Sequence, residues 1–249
     1  MKKDINMRWQ LMAIDLAGVN LQEFPLFEGV DEGEVRKFLS VGFHFCYESG
    51  ALLVSKEDAG ETFFLVMKGL AKLVLRNSKQ EQFNAALFRT GDFFGEMSML
   101  EPNTVRNGDI VSLQDVEVIA IHKKDFLKSF QETPMLAFNL ARILAQRIRL
   151  MNDRLMTDRL PDNLQKVAHT LVMLTSKGVS FQDQGPVLLP QLSLKEWALF
   201  CYTSGEVFMD SIEQLKQLGA LEWHNQRIVV TDLAALQRCA KPDQPAVQS

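Results

Sequence analysis

Residues 91–110 read GDFFGEMSMLEPNTVRNGDI, and this stretch carries the clearest indication of what the protein binds. Glu96 and Arg106 lie ten positions apart around a turn-rich insert, and Gly91 and Gly95 give the backbone before it freedom to turn. A short helical turn starting at Gly95 would present free backbone N–H groups, which attract an anion. Arg106 would hold the same anion through its planar fork of donors, whereas the carboxylate of Glu96 suits a sugar hydroxyl. The two side chains together indicate a phosphorylated sugar.

The same stretch resembles the phosphate-binding cassette of cyclic-nucleotide-binding domains, in which F-G-E, a small residue and an apolar pair precede an arginine at this spacing. The resemblance implies that Glu96 contacts the ribose 2′-hydroxyl and that Arg106 contacts the cyclic phosphate. Asn107 departs from the bacterial pattern, which usually has Ser or Thr there. The residues of the cassette alone leave a second interpretation open, a hairpin with an ordinary surface salt bridge. The predicted phosphate and ribose contacts are Gly95, Glu96, Met97, Ser98, Arg106 and Asn107.

The residues on either side of the cassette predict a β-domain. Short runs with period-two patterning are separated by turn signals, which favours a sandwich or barrel over a parallel sheet. Glycines at 50, 69, 91 and 95 stand where the β-roll of cyclic-nucleotide-binding domains turns its strands. Two short helices are predicted before the strands, at Met7–Val19 and Asp31–Leu39. The predicted strands are Phe43–Tyr47, Leu52–Ser55, Thr62–Lys68, Ala71–Arg76, Phe83–Phe88, Ile110–Ser112 and Val116–His122.

A long helix is predicted between Pro134 and about Leu160. Its apolar residues recur every three or four positions and therefore form one stripe that needs a partner. The helix resembles the dimerisation helix of the Crp/Fnr transcription regulators, which pairs with its twin and touches the nucleotide base; a plain core helix is the alternative. The stripe consists of Leu136, Leu140, Leu144, Ile148, Met151 and Leu155.

The C-terminal part of the chain predicts a winged helix-turn-helix. Pro161 breaks the long helix, and residues 178–191 predict a small hairpin. Ser193 is predicted to cap a helix over Lys195–Cys201, and Thr203 to cap a second one through a capping box with Glu206. Residues 222–230 would form the wing, and the second helix would read DNA bases.

The predicted recognition helix departs from the family pattern. Gly205 occupies the position of an arginine, Asp210 stands where a second basic residue is common, and Tyr202 replaces the usual glycine of the turn. The helix carries more acidic than basic residues, which is a poor surface for a duplex. Either the DNA site is weak and assisted from outside the helix, or the domain has become an interaction module. The predicted DNA contacts are Lys195, Thr203, Ser204, Gly205, Glu206, Met209 and Lys216.

The base half of the nucleotide site is altered relative to the family. The positions that contact adenine in the family, typically a Thr-Ser pair, correspond to Met151 and Asn152. Met151 cannot donate the expected hydrogen bond, whereas Asn152 can donate or accept one. The resemblance therefore implies cyclic AMP as the allosteric ligand, with another purine nucleotide or loss of the ligand as alternatives.

Composition argues against several other kinds of binding site. The 249 residues carry a net charge of −4, so any DNA contact must come from a local patch rather than from general attraction. Cys46, Cys201 and Cys239 lie far apart, which suggests neither a disulfide framework nor a zinc or iron–sulfur site, and a haem would rest on the lone histidines His44 or His122. We predict no metal site. With no signal peptide or membrane-spanning run, a reducing cytoplasm is expected.

These observations predict an α+β protein of the Crp/Fnr type. The expected segments are a cyclic-nucleotide-binding β-roll with N-terminal helices (1–133), a dimerisation helix (134–160) and a winged helix-turn-helix domain (161–249). The implied function is a cyclic-nucleotide-responsive transcription regulator that binds promoter DNA as a homodimer, with RNA polymerase or other proteins as possible partners. The alternative is a signalling protein with a degenerate DNA-binding domain. No catalytic nucleophile, metal triad or P-loop is evident, so an enzyme is not expected.

Overall fold

A computed structural model describes residues 19–101, 105–157, 162–175, 179–180, 186–224 and 227–241. The chain divides into two units, Met1–Gln146 and Arg147–Ser249, and the border falls inside a helix at Pro134–Thr157. The helix predicted at Met7–Val19 lies outside the described residues except for its last position. The division into three segments, 1–133, 134–160 and 161–249, stays a prediction.

The described part of the N-terminal unit begins with two short 3₁₀ turns, Leu21–Glu23 and Pro25–Phe27. Helix α1 starts where the Asp31 side chain accepts a hydrogen bond from the Gly33 N–H at 2.8 Å, which satisfies one of the free amides of the first turn. The helices are α1 (Glu32–Ser40), α2 (Met97–Leu100), α3 (Lys123–Glu132) and α4 (Pro134–Thr157). The strands are β1 (Phe43–Tyr47), β2 (Leu52–Val54), β3 (Thr62–Lys68), β4 (Leu70–Arg76), β5 (Gln82–Arg89), β6 (Phe93–Phe94), β7 (Asp109–Ser112) and β8 (Val116–His122).

These strands form two antiparallel sheets of four, in the orders β1-β8-β3-β6 and β2-β7-β4-β5. Strands β3 and β4 belong to different sheets and are joined by Gly69, which has φ +92°. A Cβ atom there would lie 2.1 Å from the carbonyl oxygen of Asp115, so only glycine lets the chain cross between the sheets at this point.

Strand β3 reads TFFLVMK because both of its faces are buried. Phe63 and Leu65 face a cluster built with residues of α1, α3 and the first half of α4, including Phe38, Phe126 and Leu136. Phe64 and Val66 face the cluster between the two sheets. A strand that is covered on both sides is expected to be a continuous apolar run, and this one holds the sandwich against its helices.

In the residues that the structure describes, the C-terminal unit consists of the end of α4, four further helices and a small antiparallel sheet. Trp197 and Phe208 stack in its core at 5.9 Å between ring centroids, and Trp223 meets Phe208 edge-on. The helices are α5 (Asn163–Thr175), α6 (Leu194–Cys201), α7 (Gly205–Gln217) and α8 (Leu233–Cys239). The sheet has the order β11-β12-β10-β9, with β9 (Val179–Ser180), β10 (Val187–Leu188), β11 (Leu221–His224) and β12 (Arg227–Val230).

The predicted fold class, α+β with a β-roll, a long helix and a winged helix-turn-helix, is confirmed. The hairpin predicted at residues 178–191 is found as the β9–β10 pair, and the tip of the predicted wing lies outside the described residues. Strand β6 and helices α3 and α8 were not predicted. Within the described ranges, no helix is long and apolar enough to cross a membrane.

One predicted helix start is wrong. Ser193 caps α6 as expected, with a capping box to Glu196. Helix α7, however, is capped by Ser204, whose Oγ accepts from the Val207 N–H at 3.2 Å, and not by Thr203. The reason is Tyr202, which adopts a left-handed conformation (φ 54°, ψ 41°) and ends α6, leaving Ser204 in the extended conformation that a cap requires.

Candidate functional site

The cassette folds around a left-handed glycine. After β6, Gly95 adopts φ +90°, and the chain then enters α2 through Glu96. The short helix therefore begins at Met97, two residues later than the sequence predicts, because a residue with positive φ cannot be part of a right-handed turn. Residues 102–104, in the insert before Arg106, lie outside the described part of the chain.

The guanidinium of Arg106 points into the protein and holds the cassette together. Nη1 donates to the Gly95 carbonyl oxygen at 3.3 Å and to Ser98 Oγ at 3.1 Å, and Nη2 donates to the Thr62 carbonyl oxygen at 2.8 Å. The guanidinium carbon lies 5.8 Å from the centroid of the Phe64 ring, within cation–π range. Arg106 therefore links the end of β6 and α2 to the first residue of β3.

The Nε–H donor of this guanidinium is not used. Nε of Arg106 is buried and has no hydrogen-bond partner in the part of the chain that the structure describes. A buried donor without a partner is unfavourable, so an acceptor supplied by a ligand would relieve it.

Charge around Arg106 is dominated by carboxylates. Burial lowers the pKa of Arg106, while Asp58, Glu96 and Glu61 raise it. Arginine stays protonated at neutral pH in any case. The two predicted ligand contacts are both enclosed, since Glu96 is 5% exposed and Arg106 is 6% exposed. The arrangement supplies one cation and one carboxylate side by side, which is the pair that a ribose phosphate requires.

The other predicted phosphate and ribose contacts surround this pair. Ser98 is buried, and its hydroxyl donates to the Gly95 carbonyl oxygen at 3.1 Å while it accepts from Arg106. Asn107 is exposed, and its Nδ2 lies 3.0 Å from Sδ of Met97, which is also exposed. The six predicted contacts Gly95, Glu96, Met97, Ser98, Arg106 and Asn107 are therefore brought together, and their role in binding stays a prediction.

Sequence reasoning missed three residues that position the cassette. Thr62 contributes only a backbone carbonyl, and Phe64 lies beneath the guanidinium. Lys123 donates through Nζ to the carbonyl oxygen of Ser98, the second residue of α2, at 3.3 Å. None of the three belongs to a recognisable motif, and only the register of β3 with β6 and β8 brings them to the cassette.

The two predicted base contacts lie on α4. Met151 and Asn152 are both exposed and belong to the unit that begins at Arg147. Their contact with a nucleotide base stays a prediction.

The predicted DNA-reading surface is acidic in the structure. Along α7, Glu206, Asp210 and Glu213 are exposed, and Lys216 Nζ lies 3.5 Å from a carboxylate oxygen of Glu213. Pairing with Glu213 reduces the charge that Lys216 can offer to a phosphate.

The remaining predicted DNA contacts start the two helices. Lys195 is exposed in the first turn of α6, and Met209 is half-buried on α7. Ser204 is occupied as the helix cap, and Thr203 is half-buried beside it. A Cβ atom at Gly205 would lie 3.5 Å from the Leu194 side chain, which is ordinary van der Waals contact. Packing therefore does not require a glycine where the family has an arginine.

Comparison with known proteins agrees with this geometry. Residues 45–133 match the family described as "Cyclic nucleotide-binding domain". The cyclic AMP receptor protein of Thermus thermophilus is 28% identical over 216 residues, which cover 87% of this chain and 96% of that protein. The family match over residues 45–133 contains most of the β-sandwich and the cassette.

Solved structures share the fold. The catabolite activator protein of Thermus thermophilus matches with a TM-score of 0.50 at 28% identity, over 87% of this chain and 98% of that one. The regulator CLP of Xanthomonas campestris, described as c-di-GMP responsive, matches with a TM-score of 0.67 at 19% identity, over 81% of this chain and 99% of that one. The predicted resemblance to the Crp/Fnr regulators is confirmed.

Proposed function

Residues 45–133 are a cyclic nucleotide-binding domain on the fold of the Crp/Fnr regulators, and from this premise we propose that the chain is a cyclic-nucleotide-responsive transcription regulator. It acts without catalysing a reaction, as a homodimer on double-stranded DNA. The observation that carries the proposal is the enclosed pair of Glu96 and Arg106, in which hydrogen bonds to Gly95 and Ser98 hold the guanidinium. A carboxylate near a guanidinium whose buried Nε–H is unused suits a ribose joined to a phosphate.

Cyclic AMP is the proposed ligand. The support is the 28% identical relative that is named a cyclic AMP receptor protein. Asn107 is a predicted phosphate contact, and Met151 and Asn152 are predicted base contacts; these polar or adaptable side chains are compatible with other cyclic nucleotides. Ligand binding would favour one arrangement of the C-terminal domains over another, as a shift in populations.

The binding test compares cyclic AMP, cyclic GMP and cyclic di-GMP by equilibrium dialysis, with thermal unfolding as a second readout. Arg106→Lys keeps the charge but lacks the fork, and we expect it to weaken binding by at least about tenfold. If none of the three ligands binds the wild-type chain, the ligand part of the proposal is wrong.

Dimerisation is proposed through α4. Ile148, Met151 and Leu155 follow one another at steps of three and four, and their exposed fractions are 58%, 65% and 64%. Three large apolar side chains in a row on one face are unfavourable in water. A second copy of the same helix would cover them in a symmetric pair.

The acidic surface of α7 favours a second candidate, a nucleotide-binding signalling protein whose winged helix contacts a protein instead of DNA. Fluorescence anisotropy with promoter duplexes, with and without nucleotide and across salt, separates the two functions. A regulator would bind more tightly when Glu206 and Asp210 are changed to Gln and Asn, because repulsion of the phosphates falls. An interaction protein would show no salt-dependent binding in either form.

A further inference from the structure

A cluster of three different ligand-type side chains lies on the outer face of the β1-β8-β3-β6 sheet, away from the cassette. His44 and Cys46 are two residues apart on β1 and therefore project to the same side of the strand. Cys46 is paired directly with Glu117 on β8, and His44 lies opposite Ile119, so its diagonal neighbour is Glu117. Phe45 and Tyr47 pack on the other face, with the cluster between the sheets.

The three side chains already converge. Nε2 of His44 lies 3.2 Å from Oε2 of Glu117, and the ligand atoms of all three residues lie within 4.8 Å of one another. In a tetrahedral zinc site with bonds of about 2.0–2.3 Å, the ligand atoms stand roughly 3.3–3.8 Å apart. Rotation of the exposed Cys46 side chain would remove the remaining difference, since both backbones are fixed by the strand pairing.

We propose that His44, Cys46 and Glu117 form a binding site for a borderline divalent transition metal, with Zn²⁺ as the ion that their donor set fits best. Thiolate and imidazole together select against Mg²⁺ and Ca²⁺, which take oxygen ligands. Three protein ligands leave a fourth position for water or for a donor from another molecule. The site is separate from the cassette and does not depend on nucleotide binding.

Lys68 would compete with the metal for the carboxylate of Glu117. Its Nζ lies 3.5 Å from Oε1 of Glu117, on the oxygen that does not contact His44. Lys68 is exposed, so its ammonium group can swing into water when a cation replaces it. Removal of this positive charge would therefore strengthen metal binding.

The thiol of Cys46 must lose its proton when a metal binds. Burial and the Glu117 carboxylate raise the pKa of Cys46, and Lys68 lowers it. A divalent cation at the centre of the cluster would reverse the effect of Glu117, because it neutralises the carboxylate and stabilises the thiolate.

A bound ion would also stabilise the pairing of the edge strand β1. Strand β1 ends its sheet and pairs only with β8 among the described strands. A metal bridging Cys46 and Glu117 would join the two strands through side chains as well as through the backbone. Because the ion binds the folded chain preferentially, it would raise the unfolding temperature in a concentration-dependent manner.

The test is a titration of the reduced, full-length chain with Co²⁺, which reports a thiolate ligand through its charge-transfer absorption, followed by displacement with Zn²⁺. The wild type is expected to show the thiolate band, and Cys46→Ser is expected to abolish it. His44→Asn and Glu117→Gln are expected to weaken binding by at least about tenfold. Lys68→Met is expected to tighten it. Cys239→Ser removes another thiol that is partly exposed and is the matched control.

Two results would overturn the proposal: absence of a thiolate band in the wild type at millimolar Co²⁺, or a band that survives in Cys46→Ser and disappears in Cys239→Ser. Thermal unfolding of each variant without metal verifies that it is folded. Zn²⁺ should then raise the unfolding temperature of the wild type and of Cys239→Ser but not of Cys46→Ser. An equal rise in all three would assign the effect to ions bound elsewhere.

Discussion

A Cβ atom at Gly95 would lie 2.6 Å from Nη1 of Arg106. The same atom would lie 2.6 Å from the carbonyl oxygen of Thr62, which accepts a hydrogen bond from the same guanidinium. Because residue 95 has no side chain, the guanidinium of Arg106 has room to reach the backbone of β3. The cassette can form only with glycine at this position.

Gly95→Ala is therefore expected to lower the free energy of unfolding by about 3 kcal/mol or more, through backbone strain and loss of the Arg106 hydrogen bonds. Nucleotide binding should fall in parallel. Gly50→Ala is the matched control, since Gly50 has a similar φ of +84° but nothing within 4 Å of its Cβ position. Urea unfolding of both variants isolates the clash, and equal losses would contradict it.

The start of α7 gives a second prediction. The Thr203 hydroxyl is buried and has no hydrogen-bond partner among the described residues, whereas Ser204 caps the helix. Thr203→Val should therefore leave the free energy of unfolding unchanged or raise it by up to about 1 kcal/mol. Ser204→Ala should lower it by about 1 kcal/mol. If urea unfolding shows instead that Thr203→Val is destabilised and Ser204→Ala is not, Thr203 is the cap.

Asp109 gives a prediction about acid stability. Burial raises the pKa of this carboxyl, but hydrogen bonds from the Lys56 N–H (2.9 Å) and Arg76 Nη1 (2.5 Å) outweigh burial and lower it. A pKa that is lower in the folded chain contributes stability above the unfolded value of about 3.9 and loses it as pH falls through the folded value.

Asp109→Asn is expected to lower the free energy of unfolding by about 1–2 kcal/mol at pH 7. The difference from the wild type should shrink below about pH 4, as the native carboxyl becomes protonated. Urea unfolding at both pH values measures it. A difference that is independent of pH would show that packing, and not charge, is responsible.

The apolar stripe of α4 gives a prediction about assembly. Ile148→Glu and Leu155→Glu place charges among the side chains that a second copy would cover, and each should shift the chain from dimer to monomer by light scattering. Leu218→Glu is the control, because Leu218 is as exposed as Ile148, at 58%, but lies at the end of α7. A wild-type chain that is monomeric at micromolar concentration would refute the proposed dimer.

The sequence predicts the β-domain well because its strands are short alternating or continuously apolar runs between clear turn signals. Strand β3 and the Ser193 cap were found where expected. Strand β6 was missed because two residues are too short to show a period, and its existence depends on pairing with Phe64 and Leu65. The Thr203 cap was wrong because the capping-box spacing to Glu206 favours Thr203, whereas the residue three positions after Ser204 is Val207. The left-handed Tyr202 backbone overrides this local signal and places Ser204 at the cap.

The same limit applies to the candidate sites: residues that are close in sequence were predicted, and residues that only the fold brings together were not. Glu96 and Arg106 were found because the cassette is continuous in sequence. Thr62 could not be found, since any residue supplies a backbone carbonyl. The cluster of His44, Cys46 and Glu117 was not predicted because Glu117 lies on another strand, 71 residues after Cys46 in the chain. Only the pairing of the two strands brings the three side chains together.

The interior position of Arg106 determines what a ligand would gain. Three of its five N–H groups already donate to Gly95, Ser98 and Thr62, so an incoming phosphate adds hydrogen bonds at Nε and at the second N–H of Nη2 and otherwise replaces existing ones. The enthalpy of association is then a small difference between bonds made and bonds broken. Selectivity among cyclic nucleotides would accordingly come from the ribose and the base, because every candidate ligand makes the same exchange at its phosphate.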